Sequence, residues 1–367
     1  MNGIICIYKE KGYTSFDVVA IVRKLCGTKR VGHGGTLDPM AEGVLPIFVG
    51  TATKAVDFCP DHTKEYRAKM RFGITTDTQD ITGTVTSTSD ILVGRNEQYR
   101  LEQKFRGDLM QTPPMYSAVR VNGQRLYDIA RKGGEVPREP RPITIYSLKF
   151  EEFADNRATF LVSCSKGTYI RTLIHDMGVE TGAGATMTDL VRTRSGNFGL
   201  RDCYRLSELK EAYRQGGADA IEPFLIPIEH LYKGLPRAVL DSTQVRLFSN
   251  GVVLDAERIA FDRKYDGAYR IVDESNTLLG VGEISEKGDL HVIRRYGGSP
   301  TEPDEKNPED EGKVPPPRPA ENAAEEDEVF VSEGDEGKGT FPSGNAILPK
   351  EEKRLRDLSE LKGVRFS

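Results

Sequence analysis

The chain has 367 residues, with 51 Lys and Arg against 56 Asp and Glu, and that length holds two domains with room for further segments. Residues 301–367 carry 18 acidic and 10 basic side chains, which leaves the preceding 300 mildly basic and compatible with an RNA partner. Five cysteines and five histidines stand apart from any metal-ligand spacing, and no apolar run is long enough for a signal peptide or a membrane span; this argues against a zinc-built or disulfide-built domain and against a membrane protein, and fits a reducing cytoplasm.

In chain order, Gly3 to Tyr8 reads as a buried strand, turned by Lys9 to Gly12. Ser15 is a candidate cap for a helix to about Leu25, with Val18, Ile21, Val22 and Leu25 on one face. Lys29 and Arg30 join Arg23 and Lys24 in a basic cluster. Such a cluster is a solvated face or a phosphate contact, and its place just before the next stretch favours the contact. That stretch, 30–54, is punctuated by Gly32, Gly34, Gly35, Gly43, Gly50, Pro39 and Pro46, with His33 and Asp38 between them. Pro39 pushes Asp38 towards an extended conformation, so its carboxylate is presented from an irregular loop. An Asp-Pro pair in a glycine-rich loop is also an ordinary turn, and the stretch lacks the pattern of a nucleotide-binding loop.

Residues 65 to 72 alternate Tyr66, Ala68, Met70 and Phe72 with Arg67, Lys69 and Arg71, a strand with one apolar and one basic face. Tyr66 is either a core tyrosine or a ring on which a base stacks. Thr75 to Gly83 reads as a polar loop carrying Asp77 and Asp80, and 97–106 as a helix. Segment 108–142 interleaves aromatic and basic residues (Tyr116, Arg120, Arg125, Tyr127, Arg131, Lys132), an RNA-binding composition as well as that of a surface excursion, with a short helix expected from Gln124 to Lys132 and closed by Gly133. Ala158 to Cys164 alternates as a central strand. Thr168 is a candidate cap for the helix that follows, with Ile170, Leu173, Ile174 and Met177 inward. Arg171 then falls in the first turn, where a cation opposes the helix dipole by about 0.3–1 kcal/mol. An inward carboxylate would compensate, and Asp38 is the candidate; an exposed arginine on the helix shoulder is the alternative. Ser207 to about His230 is partly helical, and short strands at 239–240, 252–254, 259–261, 269–272, 278–281 and 292–293 suggest a small β-barrel. Residues 298–350, with eight prolines between 301 and 350, are expected not to fold, and 351–363 form at most a short amphipathic helix. Together these elements describe a mixed α/β (α+β) protein.

Gly32-His33-Gly34-Gly35-Thr36-Leu37-Asp38-Pro39, followed by Gly43-Val44-Leu45-Pro46, resembles the signature of the TruB family of bacterial tRNA pseudouridine-55 synthases. The likeness continues through 64–68, 76–80, 105–107, 114–118 and 164–171; it spans roughly the first three fifths of the chain strongly and the next fifth weakly. Gly34 stands where the family often has Thr, and Leu190-Val191-Arg192 where it usually has Leu-Arg-Arg.

The resemblance implies a catalytic domain over 1–232 with a central, mostly antiparallel sheet and an RNA-binding insert at about 108–142. It implies a PUA-like RNA-binding domain over 233–297, and it is silent on the acidic tail, 298–367, which suits a partner of its own or shielding of the basic surface. The implied activity is conversion of the T-loop uridine of tRNA to pseudouridine, with no cofactor and no metal. Asp38 is then the nucleophile, Arg171 its partner and Tyr66 the stacking and proton-handling residue. His33 is an RNA-contacting wedge, and Asp80, Tyr169 and Leu190 contact or order the substrate. A monomer acting on the tRNA T-arm in the cytoplasm is expected. A non-catalytic RNA chaperone and a guide-RNA-dependent relative are the rival readings, and the insert argues for the stand-alone enzyme.

Overall fold

The computed structural model describes residues 1–296. The expectations for the tail and for the 351–363 segment lie outside the described residues.

A nine-stranded mixed sheet forms the larger part. Its main path runs Gly3–Lys9, Glu42–Val49, Ala185–Ser195, Lys64–Phe72, Arg157–Cys164, Arg141–Ala154 and Gly107–Gln111; Val31–His33 joins it on Glu42–Val49, and Phe198–Gly199 on Ala185–Ser195. All pairs are antiparallel except one, Glu42–Val49 beside Ala185–Ser195, where Val191 faces Glu42 and Arg192 faces Gly43. That parallel pair brings two distant segments together at one end of the sheet. The approach is tight: at Gly43, with φ 107°, a Cβ would lie 2.2 Å from the Arg192 carbonyl oxygen, so only glycine fits.

The period-2 pattern of 64–72 places Tyr66, Ala68, Met70 and Phe72 in one core layer with Leu37, Phe160, Leu173, Ile174 and Leu190. A second layer packs the helices Ser15–Cys26 and Leu206–Gly216 against Ile5, Ile7, Leu45 and Ile47. A third joins Ile4, Cys6, Val44 and Phe48 to Val272, Leu278 and Val281 of a second, six-stranded sheet. All five cysteines are free thiols. No helix of the described residues is long and apolar enough to cross a membrane.

Several local expectations are corrected. The cap of the first helix is Thr14, in a capping box with Asp17 (Asp17 N–H to Thr14 Oγ1 3.1 Å, Thr14 N–H to Asp17 Oδ2 2.8 Å). Ser15 is buried and serves another segment. The helix Ile170–Thr181 starts after Tyr169 without a side-chain cap; Thr168 Oγ1 instead donates to the Ser165 carbonyl at 3.0 Å. Over 120–130 the chain forms a hairpin, Arg120–Val121 with Gln124–Arg125, and then a five-residue helix, Leu126–Ala130. The hairpin ladder consumes the backbone groups of the first expected helical turn. Val252 and Val253 are exposed and outside any strand, after the helix Ser242–Ser249. That helix has its own capping box, Asp241 with Gln244, a signal present in the sequence but overshadowed by the surrounding β pattern. The C-terminal sheet is a curled half-barrel rather than a closed barrel: its end strands, Leu254–Asp255 and Ala260–Phe261, each pair with one neighbour.

Candidate active site

The loop carrying Asp38 leaves the short strand Val31–His33 and is pinned at almost every turn. Gly34 N–H donates to the Pro46 carbonyl at 2.9 Å, and Ala41 N–H to that of Asp38 at 3.0 Å. Ser15 Oγ both accepts from Leu37 N–H (2.8 Å) and donates to the Leu37 carbonyl (3.0 Å). Arg192, about 1% exposed, donates from its guanidinium to the carbonyls of Val44 (2.7 Å), Gly35 (3.1 Å) and Thr36 (3.2 Å). Lys9, fully buried, donates to those of Tyr13 (2.7 Å), Glu10 (3.0 Å) and Pro39 (3.4 Å). Two buried cations therefore satisfy the carbonyls that an irregular loop would leave unpaired. Burial drops the Lys9 ammonium to about 8, with Asp38 pulling the other way.

From the opposite side comes Arg171, in the first turn of its helix and 4% exposed. Its Nε donates to Asp38 Oδ2 at 2.8 Å. Its Nη1 donates to the Thr78 carbonyl (2.9 Å) and its Nη2 to the Tyr116 carbonyl (2.8 Å). Asp80 Oδ2 lies 3.9 Å from the same Nε. Asp80 is held in turn, its Oδ1 accepting from Thr78 Oγ1, Thr82 Oγ1 and Thr82 N–H at 2.5–3.0 Å. The cation that local helix preference disfavours is thus placed by two carboxylates and two carbonyls. The Asp38 side chain remains about a third exposed while its partner is buried. The site presents one accessible carboxylate held rigidly by a buried guanidinium.

Tyr66 and Leu190 line the core layer beneath this pair, both buried, on neighbouring strands. Burial pushes the Tyr66 hydroxyl up, and the nearby Arg192 guanidinium offsets part of this. Tyr169 is half-buried, and its peptide is fixed from both ends by the buried Gln111 side chain (Tyr169 N–H to Oε1 2.8 Å, Nε2 to the Tyr169 carbonyl 3.0 Å). His33 Nδ1 accepts from Gly35 N–H at 3.3 Å, and burial with the Arg192 charge lowers its pKa, so the imidazole is neutral near pH 7. The sequence-selected residues Asp38, Arg171, Asp80, Tyr66, Tyr169, Leu190 and His33 thus gather around one loop. Arg23 of the basic cluster turns away, donating to the Val31 carbonyl at 3.1 Å. Gly34 packs its missing side chain against Phe48, whose ring a Cβ would meet at 3.0 Å.

Sequence reasoning missed Lys9, Ser15, Gln111 and Arg192, the groups that fix the loop and its neighbour. A faint signal existed for two of them. Lys9 continues the inward parity of Ile5 and Ile7, and Arg192 that of Leu190, and a cation at an inward strand position is a buried cation needing acceptors.

Comparison with known proteins bears on this constellation. The chain matches the TruB family pseudouridylate synthase N-terminal domain over residues 23–170 and the tRNA pseudouridylate synthase B C-terminal domain over residues 171–233. It is 42% identical over 289 residues to tRNA pseudouridine synthase B of Clostridium tetani, covering 78% of this chain and 97% of that protein. It is 40% identical over 288 residues to the protein of the same name from Pseudomonas putida, covering 78% and 93%. Among solved structures, it resembles a chain in the crystal structure of a Cbf5-Nop10-Gar1 complex (27% identity, TM-score 0.62, covering 80% of this chain and 84% of that one). It also resembles a chain in the structure of an H/ACA RNP bound to a substrate RNA containing 2'-deoxyuridine (26% identity, TM-score 0.61, covering 80% and 85%).

Proposed function

Because this chain belongs to the TruB family of pseudouridine synthases, enzymes that isomerise uridine to pseudouridine in tRNA, we propose that its target is the T-loop uridine at position 55 and that Asp38 is the nucleophile. The reaction breaks the bond from ribose C1′ to uracil N1, turns the base and joins C1′ to C5; the C5 proton leaves and N1 gains one, so the product is an isomer. It needs a carboxylate beside the sugar, as in glycoside chemistry, and a base taken out of the stack.

The observation that carries this reading is the 2.8 Å pair of Arg171 Nε and Asp38 Oδ2, with the carboxylate accessible and the guanidinium buried. Arg171 stabilises the negative charge of Asp38 and fixes the direction from which it meets the sugar, and Asp80 orients Arg171. Tyr66 stacks against the flipped base and handles its proton, on a floor shared with Leu190. Tyr169 borders the same space. His33, as a neutral imidazole, enters the RNA in place of the flipped nucleotide without carrying a charge out of water. Residues 1–232 form the catalytic domain, with the 108–142 insert closing on the T-arm, and residues 233–297 act as a PUA-like module contacting RNA beyond the T-loop. The enzyme works as a monomer in the cytoplasm.

The test is incubation with an unmodified tRNA transcript, followed by nucleoside chromatography and mapping of the product, since mass alone is blind to an isomerisation. Pseudouridine at the single T-loop site is expected. Asp38→Asn is expected to abolish it while RNA affinity stays within a few-fold. Turnover retained by Asp38→Asn would remove Asp38 as the nucleophile, and product at another site would remove the T-loop assignment.

A further inference from the structure

Beside Tyr169 lies a cavity of about 320 Å³ lined by Val119, Arg141, Ile143, Lys166 and Tyr169 among others. Its two cations are exposed, and among the described residues neither has an acidic or hydrogen-bonding partner for its side chain. They share this with Arg71 and Arg157 of the same sheet, which are also exposed, whereas other arginines of the sheet and its helices are paired. Arg67 is paired with Glu151, Arg100 with Glu97 and Glu180, Arg194 with Asp61 and Glu65, and Arg205 with Glu10. Solvated cations without partners are common on surfaces. Here, however, both stand at a concave site next to the reaction centre, on backbone that is fixed.

The turn carrying Lys166 is tied to the strand carrying Arg141. Ser165 N–H donates to the Thr144 carbonyl at 2.9 Å, Thr144 N–H to Ser165 Oγ at 3.0 Å, and Thr168 Oγ1 to the Ser165 carbonyl at 3.0 Å. Arg141 lies in register with Gln111, the residue that pins the Tyr169 peptide. Tyr169 connects the two places, since both Asp38 and Arg141 act electrostatically on its hydroxyl. Two unpaired cations on a braced wall, one tyrosine away from the catalytic carboxylate, fit an anion that travels with the reacting nucleotide.

We propose that this cleft binds a phosphodiester of the RNA substrate next to the uridine held at Asp38, with Arg141 and Lys166 contacting the phosphate and Tyr169 separating it from the reacting base. The assignment rests on the reading of Asp38 as the catalytic carboxylate. The phosphate fixes the register of the strand, so that the correct nucleotide reaches the carboxylate.

The experiment compares the full-length protein with the double variant Arg141→Gln, Lys166→Met on unmodified tRNA. Affinity is expected to fall roughly tenfold near 0.1 M salt, with the slope of log affinity on log salt shallower by about 1. KM rises far more than kcat changes. A tRNA carrying a neutral methylphosphonate linkage on one side of the target uridine is expected to weaken binding to the unaltered protein, and to cost the double variant no further affinity. An unchanged salt slope, or equal sensitivity of both proteins to the methylphosphonate on either side, overturns the proposal. A fall in kcat alone, with affinity and salt slope unchanged, also overturns it and assigns the pair a structural role. The outcomes separate from the earlier reading: if Asp38→Asn is inactive while the double variant binds like the unaltered protein, only the cleft assignment fails.

Discussion

Two irregular segments border the Asp38–Arg171 pair, and they are held in opposite ways. The loop from Gly34 to Ala41 receives hydrogen bonds from Lys9, Ser15 and Arg192, three residues on three different elements, all buried. The excursion from 112 to 140 is secured chiefly by its own contacts: Leu126 N–H to the Val119 carbonyl, Tyr127 N–H to that of Ser117, and Arg138 to that of Pro113. Its contacts with the site are few: Arg171 donates to the Tyr116 carbonyl, and Ser117 meets the Tyr169 hydroxyl. The first segment carries the carboxylate and is over-determined, which suits chemistry that demands a fixed position. The second carries exposed cations and aromatics on a small base of buried residues, which suits a surface that adapts to RNA. Arg171 bonds both, to Asp38 in the first and to the Tyr116 carbonyl in the second.

The comparison breaks most severely at Arg192. Arg192→Met leaves the buried Val44 carbonyl unpaired, at about 1–3 kcal/mol, and removes the donor of the part-buried Gly35 and Thr36 carbonyls at a smaller cost each. Stability falls by about 1–3 kcal/mol or somewhat more in urea unfolding, and turnover falls with it, because two of the missing bonds belong to the Asp38 loop. If the variant unfolds like the unaltered protein and turns over normally, the loop is not held as described.

The next largest effect comes from pH. Burial lowers Lys9 from 10.5 to about 8 in the folded protein. Between those values the unfolded chain binds the proton that the folded protein has released, so this group makes global stability rise with pH. The loop responds with the opposite sign, because a neutral amine has fewer and weaker donors for the carbonyls of Glu10, Tyr13 and Pro39. A fall in kcat/KM with an apparent pKa near 8 is therefore expected without a parallel loss of stability. Lys64, also lowered to about 8, is bonded to Ser195 and the Gly34 carbonyl and belongs to the same limb. If Lys64→Gln removes the limb, Lys9 is not its source.

The smallest effect falls on the second segment. Arg125→Ala with Arg131→Ala removes exposed charges, one of them stacked over the Tyr127 ring at 4.5 Å. Stability stays within about 0.5 kcal/mol. RNA affinity weakens, and the salt slope falls by about 1 for each phosphate left without its cation. A large loss of stability would show that the excursion is as tightly built as the Asp38 loop.

The chain by itself determined the alternating strands at 64–72 and 157–164, the helix beginning near residue 15 and the glycine-rich loop, while the set of residues that meet around that loop came largely from the family resemblance. These signals are local: a period of two, an Asp-Pro pair, an arginine placed against the dipole of its own helix. Arg171 was legible in part: its place against the dipole left a buried partner or an exposed shoulder open, and the family resemblance selected Asp38. Capping was less legible, because Ser15 is in isolation a cap at least as good as Thr14, and only the Leu37 backbone decides that it is needed elsewhere. Tertiary structure alone decided that Lys9 and Arg192 hold the loop. Arg192 reaches Thr36 across 156 positions of sequence, through the one parallel strand pair of the sheet. A side chain's inward direction follows from its own strand. Its acceptors follow from which strand lies alongside, and hydrophobic alternation carries no information about that order.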